Sequence, residues 1–286
     1  MGFVFGLCLF VDQFACMTAV ALTNAGTATV LQMLGTVFVM LYTCLVGRRL
    51  PRAIEAAGLK DKVLRVYVDL PGHGRTNDAP ISLATSDAIL KESLTVMDEI
   101  APDGEFAVVG QSYGGYIALG MMAACPERLL GSALICPLAV DRLKDRRTEQ
   151  GGAIVKDNAF LSTLSDAERE SFLQNAVRAD RDTWVRFRNE EAPGFANANP
   201  AFLEAVDNSF PLTQGVSEFM EGPNFDKPAV LVCGRQDSMV GYLDQARLLP
   251  KLTRGTMAVL DIAGHNLQFE QPELFCSLMA EWLQRL

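Results

Sequence analysis

Short apolar runs alternate with longer amphipathic stretches from about residue 62 to the end of the chain. The runs are rich in Val, Ile, Leu and Phe and stop at Gly, Pro or charged residues, which is typical of buried strands. The stretches between them have the apolar spacing of helices. This alternation predicts an α/β fold with a mostly parallel sheet flanked by helices. The predicted strands are 63–69, 106–109, 130–135, 229–233 and 256–261.

Four stretches of this part predict helices. They are 82–100, a helix that begins at Tyr113, 242–249 and 272–286. Either Ser82 or Thr85 caps the first helix, because both side chains carry an oxygen that accepts a backbone N–H bond. Pro272 lies in the first turn of the last helix, where a missing N–H is tolerated.

Residues 138–225 break the alternation. They are rich in charged residues and contain several short helical patterns, one of them over 165–179. We interpret them as a mostly helical cap inserted into a core made of 51–137 and 226–286; an ordinary set of surface helices is the alternative. Four aromatic residues of this segment either line a substrate pocket or form the cap's own core: Phe160, Trp184, Phe187 and Phe195.

The first 50 residues are unusually apolar. Two runs, 3–22 and 27–46, each have about the 20 residues that span a bilayer. Arg48, Arg49 and Arg52 follow the second run and would hold that end in the cytoplasm. One interpretation is therefore a helical, membrane-associated segment over 1–46 that replaces the first strands of the fold.

A second interpretation makes residues 37–45 a buried strand, because periodicity cannot separate a buried strand from part of a buried helix. The stretch 21–52 resembles a helix–loop–helix of the drug/metabolite transporter superfamily. The resemblance covers a small piece of such a protein, and two helices do not make an alternating-access pathway. It therefore implies a fragment, and a transport role ranks last among the functions considered.

The amino-acid composition argues against two classes of function, nucleic-acid binding and metal binding. The net charge of −9 and the pI near 4.8 argue against a nucleic-acid partner, which requires a basic face. The seven cysteines show no C-x-x-C spacing, which indicates reduced thiols and a cytoplasmic protein. With only two histidines and no Cys/His cluster, no metal is expected.

A glycine-rich turn joins the strand 106–109 to the helix at Tyr113. Its residues, GQSYG, place Ser112 in a G-x-S-x-G pattern between a strand and a helix. In that context the serine hydroxyl is exposed on a strained turn. The start of the helix adds partial positive charge that favours a developing oxyanion. The pattern predicts Ser112 as a nucleophile.

A serine nucleophile requires a base, and the base requires a carboxylate that orients it. His265 directly follows the last predicted strand, whereas His73 lies in a turn between two glycines and is the weaker candidate. Asp237 also follows a strand; Asp261 is the other nearby acid, but it belongs to the strand end itself. The order Ser112, Asp237, His265 matches that of the α/β-hydrolase fold.

Residues 62–286 resemble the α/β-hydrolase superfamily, on the motifs DLPGHGRT, GQSYGG, GRQD and AGHN. The resemblance implies that Ser112 is the nucleophile, His265 the general base and then acid, and Asp237 its orienting partner. It also implies that the backbone N–H of Tyr113 binds the oxyanion, and we group Gln111 with the oxyanion and substrate-binding residues. A small ester, thioester or amide would be the substrate, and no cofactor is required.

The sequence departs from this family in one respect. The family's second oxyanion donor follows a strand that lies between those predicted at 63–69 and 106–109, usually in an HG motif, and no HG precedes residue 72. Either 37–45 fills the gap, with 43–48 as the oxyanion loop, or the chain is truncated. The first case predicts a serine hydrolase that forms an acyl-enzyme. The second predicts a weak or inactive hydrolase-like scaffold tethered to a membrane.

Overall fold

A seven-stranded sheet forms the centre of the computed structural model, which describes residues 4–12, 36–39, 63–102, 104–192, 194 and 197–286. A separate pair of two-residue strands lies in the predicted cap. The strands are β1 (Val4–Asp12), β2 (Thr36–Val39), β3 (Val63–Val66), β4 (Phe106–Gln111), β5 (Leu129–Ile135), β6 (Val155–Lys156), β7 (Arg178–Ala179), β8 (Phe225–Gly234) and β9 (Leu252–Leu260).

The main sheet has the strand order β2-β1-β4-β5-β8-β9, and β3 also pairs with β1. Every pairing is parallel except that of β1 with β2. The mostly parallel sheet predicted from the alternation is thus confirmed. Because parallel strands end at the same edge, the residues after β4, β5, β8 and β9 lie along one edge, where open α/β sheets place their sites.

The gap between β3 and β4 is filled by β1. Residues 4–7 of β1 pair with β3, and residues 5–9 pair with β4 on the other edge. One of the two alternatives placed 37–45 in this position; residues 36–39 instead form β2, antiparallel to residues 9–12 of β1. Strand pairing satisfies the backbone groups that a gap would leave unpaired. The described residues of this segment are therefore extended rather than helical.

No helix in the described part of the chain is long and apolar enough to cross a membrane. The proposed tether over 1–46 is therefore not supported by any described residue. The remainder of that segment, including the predicted oxyanion loop 43–48, lies outside the described residues. The predicted cytoplasmic location stays a prediction.

Ten α-helices flank the sheet or build the predicted cap in the described part of the chain. Thr85 rather than Ser82 caps the first, since its side chain accepts a bond from the N–H of Ala88. Ser165 and Glu168 form a capping box at the start of the fourth. The helices are α1 (Ser86–Ile100), α2 (Tyr113–Ala124), α3 (Asn158–Leu161), α4 (Asp166–Asn175), α5 (Arg181–Arg186), α6 (Pro200–Asn208), α7 (Val216–Glu221), α8 (Tyr242–Gln245), α9 (Leu267–Glu270) and α10 (Pro272–Arg285).

The core packs around the central strands. All six residues of β4 are buried, and ten of the twelve residues of α2 are buried, so α2 is apolar on every face. Trp282 of α10 is buried against the sheet and donates its indole N–H to the carbonyl of Pro228 at 3.1 Å. This bond satisfies a polar atom that would otherwise be unpaired in the core.

Residues 138–225 contain five of the short helices, α3 to α7, together with the β6–β7 pair and a π-helical turn at Phe187–Glu191. Phe160, Trp184 and Phe187 pack together in a buried cluster with Phe172 and Phe269. The rings of Trp184 and Phe187 are stacked with centroids 5.6 Å apart. This packing favours the second of the two roles that we considered, a core of the predicted cap, although Phe269 of the cluster lies outside 138–225; Phe195 lies outside the described residues. The cap boundaries stay a prediction.

Candidate active site

Ser112 lies on the turn between β4 and α2 with φ 52° and ψ −116°, a left-handed conformation that is strained for a serine. At two glycines near this turn, neighbouring atoms lie so close that a side chain would collide with them. A Cβ at Gly110 would lie 2.3 Å from the carbonyl oxygen of Gly114, and a Cβ at Gly115 would lie 2.7 Å from the Cβ of Pro137. The carbonyl of Ser112 also accepts the N–H of Tyr116, which continues into the helix. The sharp turn predicted from the glycine spacing is present.

Replacing Gly110 with alanine is expected to destabilise the fold by about 1–3 kcal/mol or more, because the new methyl would overlap backbone atoms that cannot move away. Urea unfolding followed by circular dichroism measures this change. The matched control is Gly104→Ala, whose Cβ would lie 3.1 Å from the Ala101 methyl, and we expect a smaller effect there. Equal unfolding midpoints for the two variants would contradict the close approach at Gly110.

Asp237 and His265 form a buried pair on the loops that follow β8 and β9. Asp237 is 0% exposed, and its Oδ2 lies 2.8 Å from Nδ1 of His265. Its other oxygen, Oδ1, accepts the N–H groups of Met239 at 2.8 Å and Val240 at 3.0 Å. The loop therefore holds the carboxylate in one orientation directly beside the imidazole.

The second ring nitrogen of His265, Nε2, is buried and has no hydrogen-bond partner among the described residues. Because Nδ1 faces a carboxylate, the proton of the neutral ring resides on Nδ1, and Nε2 carries the lone pair. This is the tautomer in which a histidine accepts a proton from a nucleophile.

Gln111 joins the serine turn to the histidine loop. Its side-chain Nε2 donates to the backbone carbonyl of His265 at 2.8 Å, and the residue is buried. The contact fixes the position of one loop relative to the other. A substrate-binding role for Gln111 is not tested by this bond and stays a prediction. Tyr113 is the first residue of α2, so its N–H has no intrahelical acceptor and is available to an oxyanion.

His73 and Asp261, the weaker candidates for the base and the acid, lie in different surroundings. His73 is buried, and its Nδ1 lies 3.1 Å from the carbonyl oxygen of Pro71. Burial lowers the pKa of His73 to about 4, so the ring is neutral at neutral pH. Asp261 is exposed, and its carboxylate accepts the side-chain amide of Gln236 at 2.7 Å rather than contacting an imidazole. The structure thus pairs His265 with Asp237.

Cys136 is a neighbour of this pair that we did not expect. It directly follows β5, and its Sγ lies within 4.8 Å of ligand atoms of both Asp237 and His265. Burial and the nearby Asp237 carboxylate raise the pKa of the Cys136 thiol well above its usual value. The protonated thiol is a poor nucleophile and a poor metal ligand. Its position directly after a predicted strand is the sequence feature from which Cys136 could have been predicted to lie at the site.

Comparison with known proteins is consistent with this geometry. The sequence pattern of the alpha/beta hydrolase family matches residues 41–278. A monoacylglycerol lipase from Bos taurus is 22% identical over 237 residues, which cover 76% of this chain and 66% of the lipase. An esterase from Mycobacterium tuberculosis is 27% identical and is covered to 72% of its length.

Among solved structures, an alpha/beta superfamily hydrolase from Oenococcus oeni superposes with a TM-score of 0.74 at 22% identity, covering 100% of this chain and 93% of that one. This similarity supports the fold. The sequence pattern runs through most of the chain, and the protein therefore belongs to the alpha/beta hydrolase family.

Proposed function

We propose that the protein is a serine hydrolase that cleaves small carboxylic esters, or related thioesters and amides, through an acyl-enzyme. The observation that carries this proposal is the buried Asp237–His265 pair, tied through Gln111 to the strained turn that presents Ser112. The esterase and monoacylglycerol lipase relatives support ester bonds as the substrate class. A buried ester-cleaving site of this kind requires no cofactor.

In the first step, Ser112 Oγ attacks the substrate carbonyl carbon while Nε2 of His265 takes the hydroxyl proton. Asp237 remains ionised and stabilises the imidazolium that forms. The N–H of Tyr113, at the positive end of the α2 dipole, binds the oxygen on which negative charge develops. The imidazolium then donates its proton to the departing alcohol, and an acyl ester of Ser112 remains.

In the second step, a water molecule attacks the acyl carbon, and Nε2 of His265 accepts a proton from it. The tetrahedral intermediate collapses, the carboxylic acid leaves, and Ser112 recovers its proton from the imidazolium. In the family, the second oxyanion donor follows the strand next to β4; β1 occupies this sheet position, and the residues after β1 lie outside the described part of the chain. Loss of such a donor typically lowers turnover by about 100- to 1000-fold.

A fluorophosphonate probe tests the covalent step, and p-nitrophenyl esters of increasing acyl length test turnover. We expect a mass increase of one phosphonyl group on the peptide that carries Ser112, and a preference for one range of acyl lengths. A monoacylglycerol emulsion tests the substrate named for the lipase relatives. A folded chain that neither labels nor hydrolyses any of these esters would overturn the proposal and favour the inactive scaffold.

A further inference from the structure

Glu270 is a buried carboxylate that no step of the proposed reaction uses. It is the last residue of α9, five positions after His265, and it is 2% exposed. Its Oε1 accepts the N–H of Val177 at 2.6 Å and that of Arg178 at 3.2 Å. Its Oε2 accepts the N–H of Gly264 at 2.6 Å. Three backbone donors from two separate segments therefore converge on one side chain.

These two segments belong to different parts of the molecule. Val177 and Arg178 lie at the β7 strand of the predicted cap, whereas Gly264 is the residue directly before His265. The guanidinium Nε of Arg178 adds a further bond to the backbone carbonyl of Glu270 at 3.2 Å. The Glu270 carboxylate therefore bridges the cap and the histidine loop.

We propose that Glu270 is a positioning residue. Through its hydrogen bonds, the position of His265 depends on the packing of the predicted cap against the histidine loop. The inference rests on the proposed function, because it assigns His265 as the base. The Gly264 bond fixes the backbone next to the imidazole, while the Gln111 bond fixes the carbonyl of His265 itself. Displacing that segment would move Nε2 relative to Ser112, and a 1 Å misplacement of a reacting group typically lowers turnover by about 100-fold.

The charge on Glu270 is sensitive to pH near neutrality. Burial raises the pKa of Glu270 to about 7, with a smaller contribution from the nearby Asp237 carboxylate. The three N–H bonds lower this pKa and offset part of the increase. The cationic side chains on the packed elements have other partners: Arg178 lies 3.6 Å from Asp180, and Arg186 of α5 pairs with Glu190. Protonation replaces one accepting oxygen with a hydroxyl, so at least one of the three bonds is lost below about pH 7.

The test compares Glu270→Gln with the matched control Glu273→Gln, which makes the same change at an exposed position three residues later. We expect the fluorophosphonate labelling rate of Glu270→Gln at pH 8 to fall by about 10- to 100-fold. At pH 6 the difference from the wild type should shrink, because Glu270 of the wild type is then itself protonated. The control should label like the wild type at both pH values.

Hydrogen exchange provides a readout that does not depend on activity. In the wild type, the amides of Val177 and Gly264 should lose protection together between pH 8 and pH 6, after correction for intrinsic exchange rates. This measurement also applies if Glu270→Gln fails to fold. Unchanged labelling of a folded Glu270→Gln at pH 8, or a loss of equal size at both pH values, would overturn the positioning role.

Failure of the proposed function gives a different result. A wild-type chain that does not label at any pH would overturn the serine hydrolase, whereas coupled exchange at Val177 and Gly264 would still show the bridge. Independent exchange of the two amides in a chain that labels normally would remove the bridge and leave the hydrolase.

Discussion

Replacing Ser112 with alanine is expected to lower kcat for ester hydrolysis by about 10⁴- to 10⁶-fold and to abolish fluorophosphonate labelling. Removing the hydroxyl removes the only atom that forms the covalent bond in the proposed reaction. Alanine adopts the strained φ of 52° as readily as serine does, so the fold should be retained. Initial rates with a p-nitrophenyl ester, together with circular dichroism, measure both effects.

The matched control for this change is Ser277→Ala. Ser277 is exposed on α10, and its hydroxyl donates to the carbonyl of Glu273 within the same helix. We expect wild-type rates for this variant. Turnover by Ser112→Ala within about tenfold of the wild type would show that another group, or a directly activated water, attacks the ester.

Replacing Asp237 with asparagine is expected to lower kcat by about 10⁴-fold with a smaller change in KM. The amide has nearly the size of the carboxylate, but it carries no charge to stabilise the imidazolium. Its NH₂ group is also a donor, so it can select the tautomer of His265 in which Nε2 carries the proton and cannot act as a base. Steady-state kinetics over a range of pH values test this prediction.

Asp261→Asn is the control for the acid, because Asp261 is the alternative carboxylate that the sequence offers near His265. It is exposed and bound to Gln236, so we expect a change in kcat of less than about twofold, as for most surface substitutions. A larger loss in Asp261→Asn than in Asp237→Asn would reverse the assignment of the acid.

Much of the candidate site could be predicted from the sequence because it depends on local chemistry at strand ends. The glycines around Ser112 require a tight turn. Asp237 and His265 each follow an apolar run that is too short for a helix. In a parallel sheet these ends lie along one edge, so the strand-end positions of the three residues already place them on the same edge of the sheet. Their spatial relation follows from topology rather than from any single contact.

The start of the sheet could not be predicted in the same way. The sequence of residues 4–11 is apolar throughout, a pattern that is typical of a strand in a parallel sheet and that also fits a helix in a bilayer. Only pairing with β3 and β4 distinguishes the two, and pairing is a long-range property.

The Glu270 bridge was missed for a similar reason. Its donors are backbone N–H groups, one of them 93 positions earlier in the chain. Nearly every residue type has a backbone N–H, so the sequence does not indicate which of these groups will bind Glu270.

The position of β1 also affects the order in which the molecule folds. β1 lies between β3 and β4, and its partner residues in β4 are about a hundred positions later in the chain. The pairs β4–β5 and β8–β9 join strands that are much closer in sequence. Since long loops close more slowly than short ones, the β4–β5 and β8–β9 pairs should form before β1 pairs with β4 and before β5 pairs with β8, whose partner residues are also about a hundred positions apart. The nucleophile turn would then have β5 as its neighbour from an early stage, and β1 would pair with the other side of β4 only later.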